Sequence, residues 1–211
     1  MTLDRRTFLA AGAGAGVVAL GGGAWTLLRQ SGRAGEPSVD DVLHDPDQPV
    51  LGNPQGDLTI AEFFDYQCPF CKRGHPDLMD EVEADGNIRL VMKDWPIFGS
   101  ASVLAAQMVL GAADPERYAA AQAALMATPA RLTEEDVRTT LAAAGHDPDR
   151  MLEIYRQDRQ RWDGLMGRNA QQAAALGLQG TPAFIIGRTI HAGALDRDRL
   201  RAAIAAARSG A

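Results

Sequence analysis

The sequence has 211 residues, of which 46% are hydrophobic and 23% are charged. This composition is typical of a folded globular domain and excludes a disordered chain or a disulfide-rich mini-protein. With 21 Lys and Arg against 27 Asp and Glu, the net charge is −6, which argues against a nucleic-acid-binding protein because such proteins need a basic surface.

An uncharged run of 20 residues, 9–28, follows the pair Arg5-Arg6 near the N-terminus. The run is long enough to cross a bilayer, but its six glycines would make a buried core helix unfavourable. We therefore interpret residues 1–34 as a targeting segment.

The residues Arg5-Arg6-Thr7-Phe8-Leu9 resemble the twin-arginine export signal, in which x-Phe-Leu follows two arginines. Asp4 departs from that pattern, because such signals usually have Ser or Thr there. The resemblance implies export, most simply to a bacterial periplasm. No clean A-x-A cleavage site follows the run, so two outcomes stay open: a cleaved signal peptide or an uncleaved membrane anchor.

The first part of the exported chain has the pattern of a strand–helix–strand unit. Residues 35–56 contain four prolines, and we predict an extended lead-in there without a helix of useful length. The apolar run 58–64 predicts a buried strand. A helix over about 69–84 and a second strand over 87–93 complete a predicted parallel crossover unit.

The second part is predicted to be helical and then to return to strands. Asp114-Pro115 and Asp147-Pro148 each place an N-cap residue before a proline at the first helical position. After Gly180 the sequence predicts two short strands around a turn at Gly187-Arg188, and a closing helix from about Asp196. These patterns indicate an α/β fold with an inserted all-helical subdomain.

The predicted domain organisation follows from this order of elements. The targeting segment (1–34) and the lead-in (35–56) precede a first α/β part over 57–98. The helical insertion covers 99–178, and a second α/β part covers 179–211.

Cys68 and Cys71 are the 2 cysteines of the chain, and roughly one random pair in a hundred would have this spacing. The pair follows a predicted strand and opens a predicted helix, where unpaired N–H groups and the helix dipole favour a thiolate. The pKa of a cysteine in such a place can fall to roughly 3.5–7.5. We therefore predict that Cys68 is the solvent-accessible nucleophile and that a buried Cys71 resolves the mixed disulfide. Pro69 suits and stiffens the opening turn.

Two other interpretations of the cysteine pair stay open. A purely structural disulfide of this short span would contribute little loop entropy. A zinc site would need about four ligands, and the chain has only 2 cysteines and 4 scattered histidines. His75 is predicted to lie at the surface or just behind the reacting groups rather than to act as a base. We expect no metal and no cofactor beyond the Cys68–Cys71 disulfide itself.

Three segments of the sequence resemble the DsbA-like thiol–disulfide oxidoreductases, in the expected order and within residues 50–207. They are Glu62-Phe63-Phe64-Asp65-Tyr66-Gln67-Cys68-Pro69-Phe70-Cys71-Lys72, Lys93-Asp94-Trp95-Pro96 and Gly180-Thr181-Pro182-Ala183-Phe184. The resemblance implies a thioredoxin-like fold with an inserted helical subdomain. It also implies that Pro182 is cis and packs against the cysteines, and that the backbone of Thr181 binds a client strand.

The same resemblance implies that Glu62, six residues before Cys68, is a buried acid that relays the proton of Cys71. An exposed glutamate at a strand edge is the alternative. The dipeptide Pro69-Phe70 departs from the Pro-His of the best-known oxidases, which removes one source of thiolate stabilisation. Thr181 resembles the isomerase and reductase branches as much as the oxidases.

We therefore predict an exported thiol–disulfide oxidoreductase that works as an oxidase on client proteins. A disulfide isomerase or reductase of the same fold is the alternative, and a non-catalytic copper-binding thiol module is another. The expected partners are reduced or misoxidised exported clients and a membrane redox partner, with no nucleic acid. We expect a monomer, because the proline-broken lead-in has no heptad pattern to form a coiled coil.

Overall fold

A five-stranded sheet organises the computed structural model, which describes residues 37–112, 114–129 and 131–210. The predicted targeting segment therefore lies outside the described residues. The strands have the spatial order β1-β3-β2-β4-β5. Their bounds are Val50–Gly52 (β1), Leu58–Phe64 (β2), Ile88–Asp94 (β3), Ala183–Ile186 (β4) and Thr189–Ala192 (β5). Within the described ranges, every helix falls short of the length and apolar character required to cross a membrane.

Strands β2 and β3 run parallel and are joined by helix α2 (Pro69–Asp85), which confirms the predicted crossover unit. β2 has the bounds expected from its apolar run, and α2 and β3 each end one residue later than predicted. All but one residue of β2 is buried, because the strand lies in the centre of the sheet with helices on both faces.

The prediction of an extended lead-in over 35–56 is wrong for its first part, where helix α1 spans Val39–Leu43. Ser38 and Asp41 form a capping box that supplies hydrogen bonds to the first turn. The helix also buries Val42 and Leu43 against the sheet. This burial and the caps stabilise a helix that is too short to form alone. β1, which pairs antiparallel with β3, follows it.

Helices fill the described chain between β3 and β4, as the alanine-rich sequence predicts. Asp114 accepts a hydrogen bond from the backbone of Arg117, and Asp147 accepts one from the backbone of Arg150, so both predicted N-caps are present. The bounds are Ser100–Leu110 (α3), Pro115–Met126 (α4), Glu134–Ala143 (α5), Pro148–Gln157 (α6) and Arg159–Ala175 (α7).

The chain then returns to the sheet through a hairpin. β4 pairs antiparallel with β2, so that Ala183 lies opposite Phe63. Gly187 has a φ of +59° and makes the turn to β5, as predicted. Asp196 caps the closing helix α8 (Arg197–Ser209). Because β4 begins beside the end of β2, the residues just before β4 lie close to the residues just after β2. The predicted α/β class is confirmed.

Candidate active site

Cys68 is the N-cap of α2, with an extended backbone (φ −70°, ψ 116°) and Pro69 at the first helical position. Its N–H donates to the carbonyl oxygen of Asp65 at 3.1 Å, which closes the turn between β2 and α2. The sequence predicts this placement. At the N-cap the sulfur of Cys68 lies near the unpaired N–H groups of the first helical turn.

The peptide bond between Thr181 and Pro182 is cis. The loop that contains it lies against the cysteines: the sulfur of Cys68 lies 3.1 Å from the carbonyl oxygen of Thr181, to which Cys68 donates a hydrogen bond when it is protonated. The two segments are brought together by the antiparallel pairing of β4 with β2. The structure therefore has the cis bond that the resemblance implies. Packing of Pro182 against the cysteines and binding of a client strand by Thr181 stay predictions.

The prediction that Cys68 is solvent-accessible is wrong for this structure. Cys68 is 1% exposed, as is Cys71, and both are free thiols. The carbonyl of Thr181 lies on Cys68, which contributes to its burial. In this arrangement the sulfur of Cys68 is therefore shielded from solvent.

The two cysteines have opposite acid–base properties. The pKa of Cys68 is lowered to about 5, chiefly because the thiol of Cys71 donates a hydrogen bond to its thiolate, helped by the side chain of Thr181 and by the backbone N–H groups of Cys71 and Phe70. Burial opposes this effect but does not cancel it. The pKa of Cys71 is raised well above its usual range, first by burial and then by the same hydrogen bond and by nearby Glu62. At neutral pH the pair therefore contains one thiolate and one thiol.

Glu62 lies on the central strand and is 2% exposed, so an exposed edge position is wrong. Its Oε2 is buried and has no hydrogen-bond partner among the described residues. Burial raises the pKa of Glu62 to about 8, and the negative charge of the Cys68 thiolate adds to the shift. The carboxyl group therefore holds a proton at neutral pH, and it lies close enough to both cysteines for their charges to interact.

The comparisons with known proteins agree with this geometry. A family model described as "Thioredoxin" matches residues 44–206. The chain belongs to the thioredoxin family. A solved thioredoxin-like oxidoreductase from Silicibacter pomeroyi is 34% identical, with a TM-score of 0.76 over 82% of this chain and 99% of that one. The thiol–disulfide exchange protein alpha-DsbA2 from Wolbachia pipientis is 26% identical, with a TM-score of 0.74 over 86% and 97%.

A curated relative of this thioredoxin-family chain is Disulfide bond formation protein D of Bacillus subtilis, 32% identical over 77 residues, which are 35% of this chain. The chain spans only 32% of the length of that relative. It spans 26% of a Na(+)/H(+) antiporter, NhaA 1 of Salinispora arenicola, which it matches over 79% of its own length. The predicted family, the thioredoxin-like fold and the thiol–disulfide oxidoreductase class of the relatives are confirmed.

Asp65 organises the thioredoxin-family site although sequence reasoning assigned it no role. Its carboxylate accepts hydrogen bonds from the backbone N–H groups of Gln67 (2.7 Å), Ile97 (2.6 Å) and Phe98 (3.0 Å) and from the hydroxyl of Ser102 (2.7 Å). These bonds join the turn before Cys68 to the loop after β3. The only sequence signal is an aspartate placed directly after a buried strand.

Lys72, the residue after Cys71, is 8% exposed. Its ammonium donates to the carbonyl oxygens of Leu125 (3.0 Å), Thr128 (3.2 Å) and Pro129 (3.0 Å), and to the hydroxyl of Thr128 (2.6 Å). The charge therefore satisfies carbonyls at the C-terminal end of α4. Burial lowers the pKa of Lys72 to about 8.

His75 lies one turn beyond Cys71 on α2 and is 7% exposed, so of its two predicted positions the surface is wrong. Burial alone lowers its pKa to about 4. The imidazole is therefore neutral at physiological pH and supplies no positive charge to the thiolate. Among the described residues, no group of three or more His, Cys, Asp or Glu side chains is placed to hold a metal ion.

Apolar side chains surround the cysteines at the surface. Phe70 is 52% exposed, and the guanidinium of Arg73 lies over its ring at 4.5 Å from the centroid. Ile97 and Phe98, in the loop after β3, are 41% and 51% exposed. The amide of Gln67, the residue before Cys68, donates to the carbonyl of Phe98 at 3.1 Å. The loop therefore forms part of the rim of the site.

Proposed function

We propose that the protein is an exported thiol–disulfide oxidoreductase that works as an oxidase, passing its Cys68–Cys71 disulfide to client proteins. The observation that carries the proposal is the lowered pKa of Cys68, about 5, beside a strongly raised pKa of Cys71. A stabilised thiolate favours the reduced form of the enzyme, so its disulfide is a stronger oxidant.

In the proposed reaction a client thiolate attacks the sulfur of Cys68, and the Cys68–Cys71 bond breaks. The electron pair of that bond goes to Cys71, which takes a proton because its pKa is high. Glu62, protonated at neutral pH, is the proposed donor of that proton. A second client thiolate then attacks the client sulfur of the mixed disulfide. Cys68 leaves as a thiolate, the client is oxidised and the enzyme is a dithiol.

Binding of the client would use the loop that contains Thr181 and Pro182. The carbonyl oxygen of Thr181 lies 3.1 Å from the sulfur of Cys68, so a client strand that pairs with this loop would bring its cysteine close to that sulfur. Pairing by backbone hydrogen bonds is independent of side-chain identity and suits an enzyme with many clients. Reoxidation by a membrane redox partner, and export through the N-terminal segment, belong to the same proposal.

A monomer is part of this proposal, and the lead-in supports it. Residues 39–43 pack into the core of their own domain through Val42 and Leu43, and β1 pairs with β3 of the same chain. This part of the lead-in therefore makes its contacts within its own protomer. Light scattering on the protein tests the monomer, and a stable dimer or trimer that restores scrambled ribonuclease would favour an isomerase instead.

The deciding experiment measures the reduction potential of the Cys68–Cys71 disulfide in glutathione buffers. The Cys68→Ser protein, which cannot form this disulfide, is the matched control. We expect a potential between about −200 and −120 mV, on the oxidising side of thioredoxin at about −270 mV. Rapid oxidation of a reduced dithiol peptide should accompany it. A potential near −270 mV with efficient insulin reduction would indicate a reductase. Tight Cu(I) binding with negligible exchange would indicate the copper-binding module.

A further inference from the structure

Arg73 differs from most arginines of the structure because no carboxylate pairs with it among the described residues. Four of the five acids that follow it on α2 form ion pairs with arginines of helix α8. Asp77, one turn further on, accepts from Arg197 at 2.8 Å, and Glu81 accepts from Arg201 at 2.8 Å. Arg73 therefore keeps its positive charge uncompensated at the surface.

The aromatic ring of Phe70 holds this charge beside the cysteines. The guanidinium carbon lies 4.5 Å from the ring centroid, a cation–π arrangement that restricts both side chains. Phe70 lies between Cys68 and Cys71 in sequence and is 52% exposed. The stacked pair is therefore a fixed, partly apolar and positively charged element at the rim of the reactive disulfide.

Apolar side chains form a further part of the rim. Ile97 and Phe98 are exposed in the loop that Asp65 and Gln67 fix beside the cysteines, and Val103 is 37% exposed at the start of α3. Asp65 itself is 1% exposed and its carboxylate already accepts four hydrogen bonds. A ligand that approaches this rim therefore meets apolar side chains and the positive charge of Arg73.

We propose that the Phe70–Arg73 pair selects client segments in which a carboxylate lies within about two residues of the reacting cysteine. Two residues of an extended chain span roughly 7 Å, which is within reach of a long arginine side chain next to Phe70. An aspartate or glutamate there would pair with a guanidinium that has no carboxylate partner of its own among the described residues. This inference rests on the proposed function and names the substrate class of the same site.

The test uses matched peptides with the oxidised full-length protein. Ala-Phe-Cys-Asp-Ala is compared with Ala-Phe-Cys-Asn-Ala, and a second pair places Asp or Asn before the cysteine. Rates of mixed-disulfide formation are divided by the rates of the same peptides with oxidised glutathione, which corrects for the effect of Asp on the peptide thiol. We expect about a threefold preference for one acidic peptide, the size of an exposed ion pair, and a smaller preference at 0.5 M salt.

Three variants separate selection from general effects. Arg73→Met should remove the preference while the rate with the Asn peptides stays within about twofold. Arg73→Lys should keep part of the preference because the charge remains. Arg156→Met, which removes an exposed arginine on α6, should leave the preference unchanged.

Equal normalised rates for the acidic and neutral peptides would overturn the inference while the proposed function stands. Loss of rate with both peptides in Arg73→Met would also overturn it, because Arg73 would then act on the exchange step itself. Failure of the protein to react with any of these peptides would overturn the proposed function, and the inference with it.

Discussion

Glu62 and Lys93 are two buried ionisable residues on neighbouring strands, and their surroundings are opposite. Glu62 is 2% exposed and Lys93 is 0% exposed. Glu62 lies opposite Met92 and Lys93 opposite Phe63 in the β2–β3 register, so the two side chains point to opposite faces of the sheet. The ammonium of Lys93 donates to Gln172 at 3.0 Å and lies 4.0 Å from Asp45, whereas Oε2 of Glu62 has no partner among the described residues.

The difference shows that burial of an ionisable group does not by itself indicate function. Burial lowers the pKa of Lys93 to about 8, against the attraction of Asp45, and raises the pKa of Glu62 to about 8. At pH 7 Lys93 is therefore a charged group held by partners, and Glu62 is a neutral acid that can release its proton. The proton transfer proposed for Glu62 would need such a group, because a partner would fix one protonation state.

The largest expected effect is on the pH dependence of stability in Glu62→Gln. The pKa of Glu62 rises from 4.5 to about 8 on folding, so between these values only the unfolded chain loses the proton. The contribution of Glu62 to the free energy of unfolding of the reduced wild type therefore falls as the pH rises, and Glu62→Gln lacks this contribution. The difference should grow by about 3–4 kcal/mol from pH 5 to pH 8 in urea denaturation. A difference in the free energy of unfolding that does not change with pH would contradict the raised pKa of Glu62.

Lys93→Ala should lower the free energy of unfolding by about 3 kcal/mol, because it leaves a cavity and removes the donor to Gln172. The exchange chemistry should be intact. Urea denaturation measures the first effect, and thiolate absorbance against pH measures the second. A change of more than about one unit in the pKa of Cys68 would show that Lys93 affects the cysteines from the opposite face of the sheet.

Glu62→Gln should also slow disulfide transfer at pH 7 by about 10²-fold, since Cys71 then leaves without an internal proton donor. Stopped-flow rates with a reduced client peptide test this, and the pH–rate profile should lose its break near pH 8. The Lys93→Ala protein is the matched control, since it removes a buried charge from the other face. Equal rates for wild type and Glu62→Gln would leave Glu62 a structural residue.

The smallest expected effect is that of Lys72→Met on disulfide transfer. It tests whether a buried charge affects transfer because it lies near the cysteines or only when it has no hydrogen-bond partners. Lys72 adjoins Cys71 but has four hydrogen-bond acceptors, so we expect it to resemble Lys93 rather than Glu62. Lys72→Met should cost about 2 kcal/mol of stability and change the transfer rate less than threefold. Arg73→Met, which removes the neighbouring exposed charge, should change stability by less than about 0.5 kcal/mol. A tenfold slower transfer in Lys72→Met would assign Lys72 to the reaction.

Local patterns in the sequence were sufficient for the frame of the site. The apolar run of β2, the Cys-x-x-Cys spacing and the Asp-Pro caps act over a few residues, and each is found where it was predicted. The resemblance to a family predicted which residues distant in sequence lie near Cys68. It placed Thr181 and Pro182 beside the cysteines and Glu62 behind them, which no local pattern could do.

The features that sequence reasoning missed depend on contacts between distant residues. Helix α1 forms because the sheet buries Val42 and Leu43, and Cys68 is covered by a residue 113 positions away. His75 is buried, and a lone histidine in a polar stretch of α2 could not decide between the two positions predicted for it. The partners of Lys72 are backbone carbonyls, which leave no trace in residue identity.

The position of β4 has a consequence for the order in which the molecule is completed. β2 pairs with β3, its near neighbour in sequence, and with β4, which is synthesised only after the whole run of helices. Until then β2 has an open edge, and an open edge favours aggregation. Cys68 is made 113 residues before Thr181, which lies on it in the finished fold. A chain that stops within the helices therefore carries both thiols without that cover, and the redox pair acquires its final surroundings only when synthesis has passed β4.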